Sequence, residues 1–373
     1  MAPLKLGMVG GGQGAFIGGV HRMAARLDGC FDLVAGAFSS DAVRAHASAA
    51  ELGIDNDRSY ANFNEMAKSE AARPDGIDAV SIVTPNHLHG PIAEAFLAHD
   101  ISVICDKPMT ATLAQAESLM EAAETSKGHF FLTHNYTGYP MVRQARQMVA
   151  EGALGEIRFV EVNYLQDWLS EAPAEDNKQA KWRMDVAQSG GGAIGDIGTH
   201  AHNLACFVLR LRATSLSATL SSHVAGRMVD DDARITLQFD GGARGQIWAS
   251  QVAIGNENNL TLAVYGTKGS LRWSQENPNI IIFTELGRAP QTITRGGGMT
   301  NAAAAAVTRI PAGHPEGYLE AFATLYKEAA MVIRSPDKVN DATINIEDGF
   351  DGVKFVNACQ NSSQNGASWV DLR

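Results

Sequence analysis

The sequence predicts an α/β protein in which a doubly wound parallel sheet is followed by a second domain built on a mostly antiparallel sheet. Three observations carry that expectation. An apolar strand at the N-terminus runs straight into a glycine-rich turn; short β-rich runs then alternate with Ala- and Glu-rich helical stretches; from about Gly155 the texture changes to longer segments of alternating polarity. The 373 residues exceed one ordinary core, since domains usually fall at ~100–200 residues, so two domains are expected.

The first strand, Leu4 to Val9, opens into Gly10-Gly11-Gly12-Gln13-Gly14-Ala15 and then Phe16-Ile17-Gly18-Gly19. Strand, glycine turn and helix in that order read as a dinucleotide-binding turn. Gly10 suits the tight bend after the strand, Gly12 lets backbone approach a pyrophosphate, and Ala15 fills the small-residue position where helix packs on strand. A helix beginning near Ile17 points its amides at the phosphates. The turn is longer than the simplest pattern, and Gly14 competes with Gly12 for the phosphate. The second strand, Phe31–Ala37, ends in Phe38-Ser39-Ser40-Asp41. An acid at the ribose position, Ser39, would grip the 2′-hydroxyl and repel a 2′-phosphate; its absence, with Ser40 beside it and Arg44 on the next helix, leaves NADP open.

Further strands are expected at Asp78–Val83, Ile101–Cys105 and Phe130–Thr133, with helices over Asp41–Leu52, His89–His99 and Leu113–Ser126. Two of these strands end in Thr84-Pro85-Asn86-His87-Leu88-His89 and in Cys105-Asp106-Lys107-Pro108. Ligands bind at the carboxyl edge of an open sheet, which places Lys107 near the reactive end of a cofactor. Its ammonium suits hydrogen bonding to a substrate hydroxyl and stabilising charge on that oxygen. His87 and His89 read equally well as helix-start residues.

In the second domain, strands are expected at Ile157–Tyr164, Ser215–Ser222, Ala233–Phe239, Ala243–Gln251 and Leu260–Tyr265, with turns such as Asp240-Gly241-Gly242 between them. A glycine turn, Gly190-Gly191-Gly192, precedes an apolar-periodic helix in which Asp196, His200 and Asn203 fall at i, i+4 and i+7. One face then carries a carboxylate, an imidazole and an amide. Histidine suits acceptance of a hydroxyl proton near neutral pH, and a carboxylate one turn away orients it. His200 and His202 point apart at helical i, i+2 spacing and no further ligand completes a set, so no metal is expected.

Trp182-Arg183 offers a flat surface and a fork of donors, and Asn135, Tyr136 and His314 add polar groups that suit a hydroxylated ring. Thr292–Ala306 reads as a mobile loop. Gly313-His314-Pro315-Glu316-Gly317-Tyr318 precedes a helix over Leu319–Arg334, and His-Pro-Glu reads alternatively as a helix start with Pro315 at its first turn. Leu216, Ile235, Leu237, Ile247 and Val264 give more apolar surface than one sheet face needs, so a homodimer or homotetramer is expected.

A net charge of −11 argues against nucleic acid as a partner. No apolar run approaches the ~20 residues that span a bilayer, and the chain enters its first strand without a charged leader, so a cytoplasmic protein with no membrane partner is expected. Cys30, Cys105, Cys206 and Cys359 lie too far apart for a redox or zinc pair and read as buried small hydrophobes.

Together these residues resemble the Gfo/Idh/MocA family of nicotinamide-dependent oxidoreductases, which includes glucose–fructose oxidoreductase and inositol dehydrogenases. The resemblance spans nearly the whole chain. It rests on the N-terminal glycine turn, Thr84-Pro85-Asn86, Asp106-Lys107-Pro108, Gly152-Ala153-Leu154-Gly155, Trp182-Arg183, Gly191-Gly192 with Asp196 and His200, Gly266-Thr267-Lys268-Gly269-Ser270 and Trp369-Val370. It implies a Rossmann domain over 1–135 and a substrate-binding and oligomerisation α/β domain with a large open sheet over 136–373.

By the same resemblance the cofactor, NAD by preference, is held by the turn from Gly10 through Phe16 and Ile17, by Ser39, Ser40 and Arg44, by Thr84-Pro85-Asn86 and His89, by Asp106-Lys107-Pro108, and by Trp182-Arg183. Lys107 polarises the hydroxyl, Asp196 helps it, His200 is the acid/base, and Asn135, Tyr136 and His314 contact substrate. The chain departs from the family pattern at Asp106, where Glu is common, and at His202-Asn203, where an Asp often follows the catalytic histidine. The long glycine turn and Gly313-His314-Pro315-Glu316-Gly317-Tyr318 resemble the branch of scyllo-inositol and related sugar dehydrogenases. The expected activity is oxidation of a secondary hydroxyl on a cyclic polyol or sugar. An NAD-dependent glycosidase of the same fold is the first rival, and a non-catalytic cofactor-binding regulator the second.

Overall fold

The computed structural model describes residues 2–171 and 190–373. The chain forms two compact units, Met1–Asn135 with Phe322–Phe350 and Tyr136–Ala321 with Asp351–Arg373. The sequence reading kept everything after residue 135 in one domain; the return of Phe322–Phe350 to the first unit had no visible marker in composition.

In the first unit β1 (Leu4–Gly10), β2 (Phe31–Ala37), β3 (Ala79–Val83), β4 (Ser102–Cys105) and β5 (Phe130–Leu132) form a parallel sheet in the order β2-β1-β3-β4-β5. The helices between them are α1 (Phe16–Leu27), α2 (Ala42–Glu51), α3 (Phe63–Ala72), α4 (His89–Leu97) and α5 (Leu113–Thr125). Every residue of β3 is buried, as a strand covered on both faces requires. The chain goes to one side of β1 to build β2 and returns to the other side for β3. The crevice at the carboxyl ends of β1 and β3 is therefore the topological switch point, and the glycine turn and Thr84-Pro85-Asn86 sit at it. Under the turn, Met8, Phe38, Ala49, Ile54 and Val83 form an apolar cluster with Ile17 packed against it.

In the second unit nine strands run in the order β13-β12-β11-β10-β6-β9-β8-β7-β14. They are β6 (Ile157–Leu165), β7 (Ala213–Ser221), β8 (Asp232–Phe239), β9 (Arg244–Ser250), β10 (Asn259–Gly266), β11 (Gly269–Ser274), β12 (Ile280–Glu285), β13 (Gln291–Thr294) and β14 (Val370–Asp371). Pairing is antiparallel except for β6 with β9. Helices α6 (Pro140–Ala150) and α7 (Thr199–Leu209) pack on this sheet. Two further helices, α8 (Tyr318–Arg334) and α9 (Ile346–Gln364), follow.

Two expectations change here. Leu216, Ile235, Leu237, Ile247 and Val264 are all buried, so they make this unit's own core and are not surplus apolar surface. The other face shows half-exposed or exposed groups such as Asn163, Thr261 and Arg234, whose guanidinium lies 3.8 Å over the Trp248 ring. Secondly, Thr292–Ala306 is not an unanchored loop. It finishes β13, and Asn301 then caps a helical turn at Ala302–Ala305 while its own amide donates to Gln144 Oε1 at 2.8 Å. Those bonds come from polar side chains, which hydrophobic periodicity does not register. Among the described residues no helix is long and apolar enough to cross a membrane.

Candidate active site

The glycine turn of the first unit is shaped by steric need. Gly10, Gly11 and Gly14 have φ of 82°, 70° and 78°, a region costly for residues with a Cβ. A Cβ on Gly12 would lie 2.8 Å from both the Phe38 carbonyl oxygen and Ser48 Oγ, whereas one on Gly14 would meet nothing. The small residue at the crossing of helix and turn is Gly18, whose Cβ would lie 2.7 Å from the Gly11 carbonyl oxygen. Ala15, expected there, is instead the residue before α1, because the lengthened turn delays the crossing by three positions.

Helices α2, α3 and α5 are capped by Asp41, Asn62 and Thr112, but no side chain caps α1. Its first amides are left for an anion, as a pyrophosphate site requires. Sequence reasoning missed two supports of this turn. Arg22 donates to the Gly11 carbonyl at 2.6 Å, and Ser48 accepts from the Gln13 amide at 3.1 Å. Phe16 is exposed at the start of α1 and Ile17 is half-buried behind it. At the end of β2, Ser39 Oγ accepts from the Asp41 amide, and Ser40 and Arg44 are exposed.

The turns after β3 and β4 are tied together. Thr84, Pro85 and Lys107 are half-buried, Asn86 and Pro108 are buried, and the Lys107–Pro108 peptide is cis. His89, expected to touch cofactor, is buried with Nδ1 2.7 Å from the Pro108 carbonyl oxygen and Nε2 2.9 Å from that of Thr84. Both ring nitrogens are thus taken up by backbone. Asp106 Oδ1 accepts from the Lys107 amide at 3.0 Å and from Thr133 Oγ1 at 3.1 Å. Burial alone would raise the Asp106 pKa. The facing His21, whose Nε2 lies 3.7 Å away, together with Lys107 and His89, outweighs burial and holds the carboxyl below the usual range. Asn135 is buried at the end of this unit, and its Nδ2 has no partner among the described residues.

In the second unit, Asp196 and His200 come together on one helical segment, but not a uniform one. Ile194–Gly198 is a π-helical turn and α7 starts at Thr199, whose amide bonds the Ile194 carbonyl five residues back. Such turns recur at functional sites because they re-aim side chains. Asp230, absent from the sequence reading, caps the segment: its carboxylate accepts from the Gly192 amide at 2.9 Å and the Ile194 amide at 2.7 Å. Gly192 is required there, since a Cβ would collide with the Asp230 backbone. Asp196 Oδ2 accepts from Gln251 Nε2 at 2.9 Å.

The buried His200 ring stands edge-on to Tyr136 at 4.9 Å and 6.2 Å from Tyr164. The two phenols hydrogen-bond each other, and Tyr164 donates on to Asn258 Oδ1 at 2.9 Å. Burial raises the pKa of both phenols, so they serve as donors. Tyr164, Asn258 and Gln251 lie on strands or loops remote in sequence, and no motif pointed to them.

His202 points elsewhere, stacked on Phe355 at 4.2 Å. His314 is exposed in a loop whose carbonyl is held by Arg295. Glu316, for which a helical first turn was the alternative reading, pairs with Arg295 at 3.0 Å and accepts from the Arg309 and Ile310 amides; the helix starts at Tyr318, one residue before the expected Leu319. Trp182 and Arg183 lie outside the described residues.

A match to the oxidoreductase family with an NAD-binding Rossmann fold covers residues 4–134, and a match to the GFO/IDH/MocA C-terminal domain covers residues 142–272. The crystal structure of an oxidoreductase from Sinorhizobium meliloti is 49% identical, with a TM-score of 0.91 over 99% of this chain and 100% of that one. The chain belongs to the Gfo/Idh/MocA family. Another solved structure, an inositol dehydrogenase homolog from Azotobacter vinelandii complexed with NADH and myo-inositol, is 37% identical, with a TM-score of 0.93 over 99% of this chain and 97% of that one. The levoglucosan dehydrogenase of Pseudarthrobacter phenanthrenivorans is 30% identical over 74% of this chain and 75% of its own. As a member of the Gfo/Idh/MocA family the chain is an NAD-binding oxidoreductase, with a parallel Rossmann sheet followed by a mostly antiparallel one. The glycine turn with its uncapped helix fits that cofactor.

Proposed function

We propose that this oxidoreductase is an NAD-dependent dehydrogenase acting on a secondary ring hydroxyl of a neutral cyclic polyol or sugar of the inositol and hexose class. The observation that carries this reading is the cluster around His200: a buried imidazole with Tyr136 and Tyr164 against it and Asp196, fixed by Gln251, one helical turn before it. The inositol-dehydrogenase relative, solved with NADH and myo-inositol, supports the choice of substrate class.

In this reading His200 accepts the hydroxyl proton and Asp196 favours the imidazolium that results. Lys107 donates a hydrogen bond to the same oxygen and stabilises its developing charge. Bound nicotinamide supplies the acceptor for the hydride that leaves the carbon. Asn135, Tyr136 and His314 contact the ring hydroxyls, and Gly10 to Ile17, Thr84 to Asn86, Asp106 to Pro108, Trp182 and Arg183 hold the cofactor. Ser39, Ser40 and Arg44 admit NAD with weak discrimination against NADP, because no acid stands at the ribose.

A panel of inositols, hexoses, their deoxy analogues, sugar phosphates and hydroxy acids, followed by reduced-nicotinamide absorbance with each cofactor, tests the reading. Neutral ring polyols are expected to turn over best. Deoxy analogues should lose efficiency steeply, because polar groups built to pair hydroxyls are left unpaired. Better turnover of a sugar phosphate or a simple hydroxy acid would contradict the reading.

A further inference from the structure

His89 opens α4 in the first unit and is 1% exposed. Its two ring nitrogens lie 2.7 Å from the Pro108 carbonyl oxygen and 2.9 Å from the Thr84 carbonyl oxygen. A carbonyl oxygen only accepts, so each short contact needs an N–H on the imidazole. A neutral ring has one N–H and would set a lone pair against a carbonyl lone pair at the other contact. Turning the ring over would bring C–H groups to these distances, well inside the about 3.3–3.6 Å usual for C–H···O contacts. We propose that His89 is held as an imidazolium that staples the turn after β3 to the turn after β4, and that it is thereby a positioning residue for Lys107.

The groups acting on the ring divide clearly. Burial opposes the cation, is the largest influence and lowers the ring's pKa; the Pro108 carbonyl, the Asp106 carboxylate and the Thr84 carbonyl favour the cation, and Lys107 opposes it. The Cys105 thiol on β4 stays neutral, burial raising its pKa. From α5 and the turn before it, Gln115 and Thr110 face the neighbouring Gly90, and neither ionises. A neutral ring would relieve the burial cost but set a lone pair against either the buried Pro108 carbonyl or the part-buried Thr84 carbonyl, which is why the doubly donating geometry decides. The staple spans the step from Thr84 to Pro108, the two turns that flank Lys107 and the sheet's ligand edge.

The protonation state stands independently of the substrate reading; the positioning role rests on the part given to Lys107 above. Long-range proton–nitrogen correlation on the NAD-loaded, full-length protein with nitrogen-15 histidine tests the first. The His89 signals, identified by their absence in His89→Gln or by backbone assignment if that variant does not fold, should show both ring nitrogens protonated at neutral pH. They should stay so as the pH is raised through about 6.5, the ordinary histidine value. One nitrogen at the unprotonated position would overturn the staple. For the second, His89→Gln should lower kcat by about tenfold or more, a larger factor than any rise in the NAD dissociation constant, since misplacing one catalytic group costs on that scale. An imidazolium spectrum with unchanged kcat would overturn the positioning role. Failure of the wild-type protein to oxidise any neutral polyol would count against the substrate reading and would not move the spectrum.

Discussion

In the proposed mechanism His200 takes its chemistry from its neighbours: two buried phenols that remain protonated and a carboxylate held in place by Gln251. Replacing His200 by Asn or Lys107 by Ala should cut kcat by about 10²–10⁴-fold while NAD binding, measured by fluorescence titration, survives. Near-wild-type turnover in both variants would remove them from the mechanism. His202, two residues on, behaves differently. Burial against Phe355 lowers its pKa to about 4, so the unfolded chain takes up a proton at higher pH than the folded one. Stability should therefore fall as pH drops from about 6.5 to about 4, by on the order of 3 kcal/mol for this group. Replacing His202 by Gln should flatten that part of a plot of denaturation midpoint against pH; an unchanged slope would show that other groups cause it. That Asp196 and His200 share one helical segment was legible in the sequence. Gln251, Tyr164 and Asn258 were not, since Gln251 and Asp196 are 55 residues apart and only the sheet brings them together.

At the level of elements, the segment that presents His200 depends on Asp230 for its N-terminal amides. Asp230→Ala should lower stability by about 1–2 kcal/mol, the range for loss of a helix cap, and reduce turnover with it, while Asp230→Asn should lose less. A urea titration following both variants checks this, and equal midpoints for Ala and wild type would refute the capping role. Alternation made the strands readable: β8 runs Ala233, Ile235 and Leu237 inward between exposed Arg234 and Thr236, a pattern of period two. The π-helical turn at Ile194–Gly198 was not readable, because one extra residue per turn leaves the apolar spacing of so short a stretch ambiguous. The crossing at Gly18 was missed for a related reason, since the glycine fingerprint assumes a shorter turn.

For the whole molecule, the order of elements along the chain was plain: glycine turn, the turns after β3 and β4, then the histidine segment. The helices α8 and α9, through which Phe322–Phe350 joins the first unit, were not, because burial of an amphipathic helix does not say against which core it packs. The nine-stranded sheet keeps one face of half-exposed residues, among them Ile280, Ile282 and Tyr265. A homodimer or homotetramer is expected, and light scattering at micromolar concentration that returned a monomer mass would contradict it. The most direct test of hydride abstraction from a ring carbon is transfer of deuterium from a ring-deuterated inositol or hexose to NAD, read by mass spectrometry of the reduced cofactor. One deuterium on the nicotinamide, a slower rate than with the undeuterated ring and loss of both in His200→Asn are the predicted results. Reduced cofactor without deuterium, or substrate conversion with no reduced cofactor at all, would contradict the assignment.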